Sequence, residues 1–314
     1  MRKKNVVVMG GGHGQAAVLR GLKLCDDINL TAIVTVADDG GSTGRLRKEF
    51  HIPAMGDIRG VMIALADEEN LLRQLMDYRF ADDDDEPNSL GGHNLGNIIL
   101  TALTQQTGSF MKAVTQVSHV LNVHGDIVPS TTEVISLYAV MEDGTIVKGE
   151  SNIPRVRNKI TKVYYDHNVK ATKASLKAIK EADYIIYGIG SLYTSILPNL
   201  IIKDIQRAIK NSSAKKIYFC NSMTQSGETE DYSVEDHVNA ILDVVPVDTV
   251  YYACDKIPEK ILARYRKEDA YPVKVSMKKH PYVLKRRSLL NFENGQVRHD
   301  AIKLSKIFEQ ELSK

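Results

Sequence analysis

A glycine-rich turn near the start of the chain restricts the fold more than any other feature of the sequence. The turn consists of Gly10, Gly11, Gly12, His13 and Gly14. It stands between an apolar run, Val6 to Met9, and a segment with helical periodicity, Gly14 to Leu24, and a second apolar run follows at Leu30 to Val36. Strand, turn, helix and strand in this order predict a βαβ unit with two parallel strands.

The same rhythm returns in the second half of the chain. Apolar runs predict buried strands at Tyr184 to Tyr187, Lys216 to Phe219 and Thr249 to Tyr252. Before them we expect a mostly helical segment over about 57–120 and a β-rich insertion over about 126–165. The patterns predict one domain over 1–314 with an α/β, Rossmann-like fold. Its mostly parallel, doubly wound sheet carries helices on both faces and a small inserted hairpin and helical region.

Composition argues against several classes of protein. The chain has 41 Lys and Arg against 39 Asp and Glu, so its formal net charge is only +2 and no global field attracts nucleic acid. The longest purely apolar stretch, Val61 to Ala66, is far shorter than the ~20 residues that cross a bilayer, which predicts no membrane insertion. The widely separated Cys25, Cys220 and Cys254 predict reduced thiols and a cytoplasmic protein.

The first glycine turn predicts a phosphate-binding loop. Bare backbone lets N–H groups approach an anion, and the N-terminus of the following helix adds positive potential. The turn is not the dinucleotide fingerprint, because Gln15 stands where that pattern requires glycine or alanine. A Walker A loop is excluded because the sequence contains no Gly-Lys pair. The alternative is a turn that serves only the close packing of strand against helix.

A polar cluster over Ala37 to Arg47 follows the second predicted strand. Ligands of open α/β sheets bind at the carboxyl ends of the strands. Asp38 and Asp39 lie at such an end, and their carboxylates are therefore candidates for binding Mg²⁺ or a ribose.

The same cluster offers two interpretations of Ser42. The stretch Gly40 to Gly44 matches the Gly-x-Ser-x-Gly pattern of hydrolases, for which His299 and Asp300 are conceivable partners. Only two strands precede this Ser42, however, and basic side chains crowd the next turn. We therefore favour a hydrogen-bonding role for Ser42 over a nucleophilic one.

A further polar segment, Gly91 to Asn97, predicts the start of a helix. If this helix begins near His93, Asn94 and Asn97 share one face, and their amides can bind a sugar, a base or a carboxylate. Upstream, Asp57 is a candidate N-cap for the helix that runs to Ala66.

A second phosphate-type turn follows the strand Tyr184 to Tyr187 and precedes a helix whose first turn contains Pro198. It resembles the first turn in design, with side-chain hydroxyls added. The predicted ligand contacts here are Gly190, Ser191, Tyr193, Thr194 and Ser195. Asn221 opens a polar loop after the next strand, which is interpreted either as a further ligand contact or as a capped turn.

Together these segments resemble the gluconeogenesis factor family (YvcK-like), which is related to 2-phospho-L-lactate transferase (CofD). The matching stretches are GGGHG at 10–14, VTVADDGGSTGRLR at 34–47, GDIR at 56–59, GGHNLGN at 91–97, GIGSLYTSILPNL at 188–200, CNSMTQSGET at 220–229 and VRHD at 297–300. Seven motifs in the family's order span nearly the whole chain, which makes the resemblance specific.

The resemblance implies a cytoplasmic regulatory factor that binds a UDP-sugar of the UDP-N-acetylglucosamine type. Such a factor is required for growth on gluconeogenic carbon sources and for normal cell shape. The family's uridine and sugar contacts correspond to Tyr265, in ARYRKED, and Arg298, in VRHD. A homo-oligomer and protein partners in the control of the cell envelope are compatible with the resemblance.

The transferase relatives imply an alternative activity, the Mg²⁺-dependent transfer of a phospholactyl group from a nucleotide diphosphate carrier. In that case Asp38 or Asp39 would contact the metal. We favour the binding factor, because the sequence offers no clear general base beyond His13, His93 and these aspartates. No catalytic residue is assigned.

Overall fold

A seven-stranded parallel sheet forms the centre of the computed structural model, which describes residues 2–66, 71–82, 90–276 and 279–313. In chain order the strands are β1 (Lys4–Gly10), β2 (Ile28–Val34), β3 (Asp126–Pro129), β4 (Leu137–Met141), β5 (Ile146–Lys148), β6 (Ile160–Tyr165), β7 (Tyr184–Tyr187), β8 (Lys215–Phe219), β9 (Thr249–Ala253), β10 (Val283–Arg287), β11 (Leu290–Asn291) and β12 (Arg298–His299). The central sheet has the order β10-β9-β8-β7-β1-β2-β3. Strands β5-β4-β6 form a small antiparallel sheet, and β11 pairs with β12.

Helices fill the connections between the strands. They are α1 (Gly12–Leu22), α2 (Gly41–Phe50), α3 (Gly56–Leu65), α4 (Leu71–Asp77), α5 (Leu95–Thr107), α6 (Phe110–Val120), α7 (Lys173–Glu181), α8 (Leu197–Leu200), α9 (Lys203–Lys210), α10 (Val234–Leu242), α11 (Glu259–Arg266) and α12 (Ala301–Leu312). A π-helical turn, Leu192–Ile196, directly precedes α8. No helix in the described ranges is long and apolar enough to cross a membrane.

The buried strands explain the architecture. In β1 the four residues from Val6 to Met9 are all fully buried, because helices cover both faces of the sheet and both sets of alternating side chains are inside. Helix α1 packs against α3 and α12, while α7 packs against α9. The predicted Rossmann-like α/β fold is confirmed.

The order of the strands places a switch point at the middle of the sheet. From β1 the chain moves outward through β2 and β3, and it then returns to the other side of β1 with β7 and continues to β10. In sheets of this kind, ligands bind in the crevice at the carboxyl ends of the two strands that flank the switch. Here the first glycine turn follows β1 and the second follows β7, so the topology brings both turns to that crevice.

Several predicted boundaries differ from the structure. Helix α1 begins at Gly12 instead of Gly14, because Gly12 is the first residue to turn after an extended Gly11. Helix α3 begins at Gly56 with Met55 as its N-cap residue, so the proposed N-cap Asp57 lies inside the first turn. Helix α5 begins at Leu95, which makes Asn94 its N-cap rather than a residue on its face.

The β-rich segment over 126–165 is divided between two sheets. Strand β3 pairs with β2 and closes one edge of the central sheet, whereas β4, β5 and β6 form the separate antiparallel sheet.

Four helices, α3 to α6, lie within the segment predicted as helical. Most of the acidic run over 82–86, which we expect to be a loop, lies outside the described residues.

A buried carboxylate attaches the C-terminal helix to the sheet. Glu311 is 1% exposed and accepts hydrogen bonds from the Lys215 and Lys285 ammonium groups and from the Tyr251 hydroxyl. The last helical turn is therefore held against β8, β9 and β10. Lys285, part of the basic cluster at 285–287, is engaged in this contact.

We expect Glu311→Ala to lower the free energy of unfolding by about 2 kcal/mol, because it leaves two partly buried lysines without their shared carboxylate. Urea denaturation followed by circular dichroism measures this change. The matched control is Glu309→Ala, which removes an exposed carboxylate from the same helix. Equal stability of the two variants would contradict a stabilising role for Glu311.

A buried histidine predicts acid sensitivity. His299 lies in β12, where its Nε2 is 3.3 Å from the Ser222 Oγ, and burial lowers its pKa from 6.5 to about 4. Between pH 6.5 and 4 the unfolded chain therefore binds more protons at this site than the folded chain. Through His299 the free energy of unfolding should fall by about 3 kcal/mol as the pH decreases across this window, with no contribution above it.

Stability curves of wild type and His299→Gln from pH 4 to 8 test this expectation, since their difference isolates the contribution of His299. His119→Gln, a change at an exposed histidine, is the control and should leave the pH dependence of the free energy of unfolding unaltered. If the stability of the His299→Gln protein falls with pH as steeply as that of wild type, another group is responsible for the acid sensitivity.

Candidate ligand site

A cavity of about 460 Å³ opens at the switch point of the sheet. Its wall includes both glycine turns, the loop after β8 and the segment that carries β12. The predicted site residues on this wall are Gly11, Gly12, His13, Gly14, Gly190, Ser191, Ser195, Asn221, Tyr265 and Arg298. The volume of the cavity lies within the range of small-molecule sites. The fold thus brings together residues that are far apart in the chain.

The two glycine turns touch each other. A methyl group placed on Gly14 would lie 2.1 Å from the Ile189 carbonyl oxygen and 2.5 Å from the Gly190 nitrogen, so only a glycine permits this approach. Gly190 itself has a φ of +146°. Gly10 lies just behind the wall, where its carbonyl oxygen accepts a hydrogen bond from Asn199 Nδ2 at 2.9 Å.

Gln15 explains why the first turn departs from the dinucleotide fingerprint. Its side chain is completely buried, and its amide nitrogen donates hydrogen bonds to the Val8 and Ile33 carbonyl oxygens at 3.0 and 2.9 Å. The glutamine thus occupies the space between helix α1 and strands β1 and β2. The fingerprint leaves this space to a small residue so that the helix can pack closely.

The hydroxyl groups of the second turn have two different environments. Ser191 and Ser195 line the cavity, and Ser191 Oγ donates a hydrogen bond to Gln225 Oε1 at 2.8 Å. Thr194 Oγ1 instead donates to the buried Glu228 at 2.9 Å, and the Tyr193 hydroxyl lies 2.7 Å from that of Tyr232. Tyr193 and Thr194 therefore support the turn from behind and form no part of the cavity wall.

Three side chains from the second half of the chain complete the wall. Asn221 Nδ2 donates to the Gly190 carbonyl oxygen at 2.9 Å, whereas its buried Oδ1 has no hydrogen-bond partner in the described structure. The Tyr265 hydroxyl accepts a hydrogen bond from the Val297 amide at 2.9 Å. Arg298 is exposed and donates through Nε to Gln296 at 2.7 Å, which leaves its terminal nitrogens available.

The wall of the cavity carries both acidic and basic groups. Burial, and after it the charge of the nearby Asp38, raise the pKa of Asp57 to about 7 and that of Glu150 to about 8. Partial burial, and after it the charges of Arg298 and Arg20, lower the pKa of the His13 imidazole. A ligand in the cavity would therefore meet cations as well as protonatable carboxyl groups.

Asp38 and Asp39 do not line the cavity. Asp38 Oδ1 accepts a hydrogen bond from the Gly40 amide at 2.9 Å, and Asp39 Oδ1 accepts one from the Ser151 amide at 2.9 Å. Burial raises the pKa of Asp38. Among the described residues, no group of three or more His, Cys, Asp or Glu side chains is arranged to hold a metal ion. Asp38 thus holds its own loop, and Asp39 links that loop to the segment after β5.

Ser42, Asn94 and Asn97 form a separate buried network. Ser42 Oγ lies 3.1 Å from His93 Nδ1 and accepts hydrogen bonds from the Asn94 amide at 3.2 Å and from Asn97 Nδ2 at 3.3 Å. The hydroxyl is 3% exposed and its hydrogen-bonding capacity is used, so the network attaches α2 to the start of α5.

The candidate partners of a Ser42 nucleophile are engaged elsewhere. His299 lies beside Ser222, and the Asp300 side chain caps α12 by accepting a hydrogen bond from the Lys303 amide at 3.0 Å. None of their hydrogen bonds in the described structure involves Ser42. The arrangement supports the hydrogen-bonding role expected of Ser42.

Several wall residues carried no recognisable signal in the sequence. Glu150 lies between β5 and β6. The sequence indicates Asp57 only as a helix cap, whereas its carboxylate accepts a hydrogen bond from the Gly12 amide. Gln225 lies in the polar loop that Asn221 opens, and its position in that loop is the sequence's only indication that it lines the cavity.

Comparisons with known proteins agree with this geometry. The model of the 2-phospho-L-lactate transferase CofD family matches residues 6–288. A protein of Halalkalibacterium halodurans named "Gluconeogenesis factor" is 49% identical over 277 residues, which cover 87% of this chain and 84% of the relative. A protein of Bacillus subtilis strain 168 with the same name is 42% identical over 313 residues, or 98% of this chain and 97% of the relative.

A solved structure extends the similarity to three dimensions. The crystal structure of a Bacillus halodurans protein superimposes with a TM-score of 0.93 at 45% identity, over 98% of this chain and all of that one. The family model and these relatives cover most of the sequence. The chain therefore belongs to the CofD family, and its resemblance to the gluconeogenesis factors is confirmed.

Proposed function

We propose that this chain binds a UDP-sugar of the UDP-N-acetylglucosamine type and acts as a regulatory gluconeogenesis factor that also supports normal cell shape. The observation that carries the proposal is the cavity at the switch point, where two glycine turns, an arginine and a tyrosine converge. Relatives of nearly full length bear the name gluconeogenesis factor, which supports the physiological part of the proposal.

The diphosphate is expected at the first glycine turn, beside Arg298. The N-terminus of α1 presents the His13 and Gly14 amides there, and helix N-termini favour anions. Arg298 adds a full charge with free terminal nitrogens, which suits the paired oxygens of a phosphate. The Gly12 amide already binds Asp57, so the phosphate would use the next two amides.

The polar ends of the ligand are expected at the remaining parts of the wall. The unpartnered Asn221 Oδ1 can accept a hydrogen bond from a sugar hydroxyl or from the uracil N–H. Glu150 and Asp57 are acceptors for further hydroxyls, and Tyr265 offers an aromatic ring to a base or a sugar.

The transferase remains an alternative, because the family model is that of a phospholactyl transferase. Its chemistry calls for a metal that stabilises charge on phosphoryl oxygens. Asp38 and Asp39 are bound to backbone amides in separate loops. This arrangement favours the binding factor over the transferase.

A thermal shift assay of the purified protein tests the proposed ligand. We expect UDP-N-acetylglucosamine to raise the melting temperature without Mg²⁺, since a ligand at 100 times its Kd adds about 2.7 kcal/mol to the stability of the folded state. UDP-glucose and GDP are compared, and mass spectrometry checks that the sugar is recovered intact. A shift with GDP that requires Mg²⁺, with no response to UDP-sugars, would support the transferase instead.

Arg298→Ala tests the position of the diphosphate. Loss of a charged hydrogen bond to phosphate should weaken UDP-N-acetylglucosamine binding about tenfold, as measured by calorimetry. Arg264→Ala is the matched control, because it removes an exposed arginine that is not part of the cavity wall. If both variants bind like wild type, Arg298 does not contact the ligand.

A further inference from the structure

A second, larger cleft of about 980 Å³ lies between the small antiparallel sheet and helix α10. It is separate from the ligand cavity, although the π-helical turn contributes to its floor. One of its walls consists of seven consecutive residues, 157–163, which lead into and include most of β6. The opposite wall is formed by α10 and by the residues just before and after it.

The cleft runs along the edge of β6. Successive side chains of a strand point to opposite faces of its sheet, so a cleft that touches every residue from 157 to 163 must follow the strand's edge. Strand β6 pairs with β4 on its other side, and in the described part of the chain no strand pairs with the edge that faces the cleft. A row of backbone donors and acceptors is therefore open to an added strand.

The charge of the cleft is predominantly negative. Its acidic residues come from the loop before α10, from the helix and from its C-cap position, and they are Glu230, Asp231, Asp236 and Asp243. Two of the three basic residues on the β6 side already have acidic partners outside the cleft. Arg157 lies 3.4 Å from Asp269, and Lys159 lies 3.4 Å from Glu142. Asp231 and Asp243 are exposed, so the cleft is complementary to a cationic occupant.

The floor of the cleft is apolar. It consists of Leu197, Ile201, Val244 and the rings of Tyr193 and Tyr232. An added strand would point alternate side chains toward this floor and toward the acidic wall. The occupant that satisfies both surfaces therefore alternates apolar and basic residues.

We infer that this cleft docks an extended segment of a partner protein, which adds as a strand to the edge of β6 and presents alternating basic and apolar side chains. Backbone hydrogen bonds to β6 supply general affinity, and the acidic wall and the apolar floor select the sequence. This inference does not depend on the ligand of the other cavity.

The experiment uses the full chain and a blocked peptide of about eight residues that alternates lysine and valine. We expect the peptide to bind in fluorescence anisotropy and to protect the backbone amides of residues 157–163 from hydrogen exchange. Asp231→Asn and Asp243→Asn should each weaken binding about two- to fivefold, because each removes one exposed charge from the acidic wall. Asp126→Asn, a change at an exposed aspartate outside the cleft, should have no effect.

Three results would overturn the inference. The first is the absence of peptide binding, or binding that neither aspartate variant weakens. The second is binding without protection of amides 157–163, which would indicate charge attraction without strand addition. The third is concentration-dependent protection of the same amides by the protein alone, which would assign the edge to a second copy of this chain.

Discussion

The close approach of two glycine turns at the middle of the sheet is the constraint on which the site depends. Gly14 lies against the Ile189 carbonyl and the Gly190 amide with no room for a methyl group. Strands β1 and β7 are adjacent, and the turns that follow them can meet because Gly14 has no side chain. This contact closes one side of the cavity and determines where α1 directs its N-terminal amides.

The charges around the cavity then limit the kind of ligand that it can bind. Burial, and after it the nearby Asp38, raise the pKa of Glu150 and of Asp57, while Arg298 and Arg20 lie near His13. A ligand with an anionic group for the cations and hydroxyl groups for the carboxyl side chains would match these charges. The proposed nucleotide sugar has such a distribution of charge.

The second turn also separates two surfaces of the molecule. Ser191 and Gln225 line the ligand cavity, whereas Tyr193 lines the cleft beside β6. Between them, the buried Glu228 accepts hydrogen bonds from Gln225 Nε2 at 2.8 Å and from the Tyr193 amide at 3.2 Å. Only a few side chains therefore separate the ligand cavity from the cleft beside β6.

The sequence by itself determined the α/β class, the two glycine turns and most helices and strands, because these follow from local periodicity and turn chemistry. Tertiary structure decided which polar residues face the cavity. Tyr193 and Thr194 belong to a motif that predicts ligand contact, yet their hydroxyls meet Tyr232 and Glu228. Glu150 reaches the cavity without any motif. The direction of a side chain depends on partners distant in the chain, and no local pattern of residues specifies those partners.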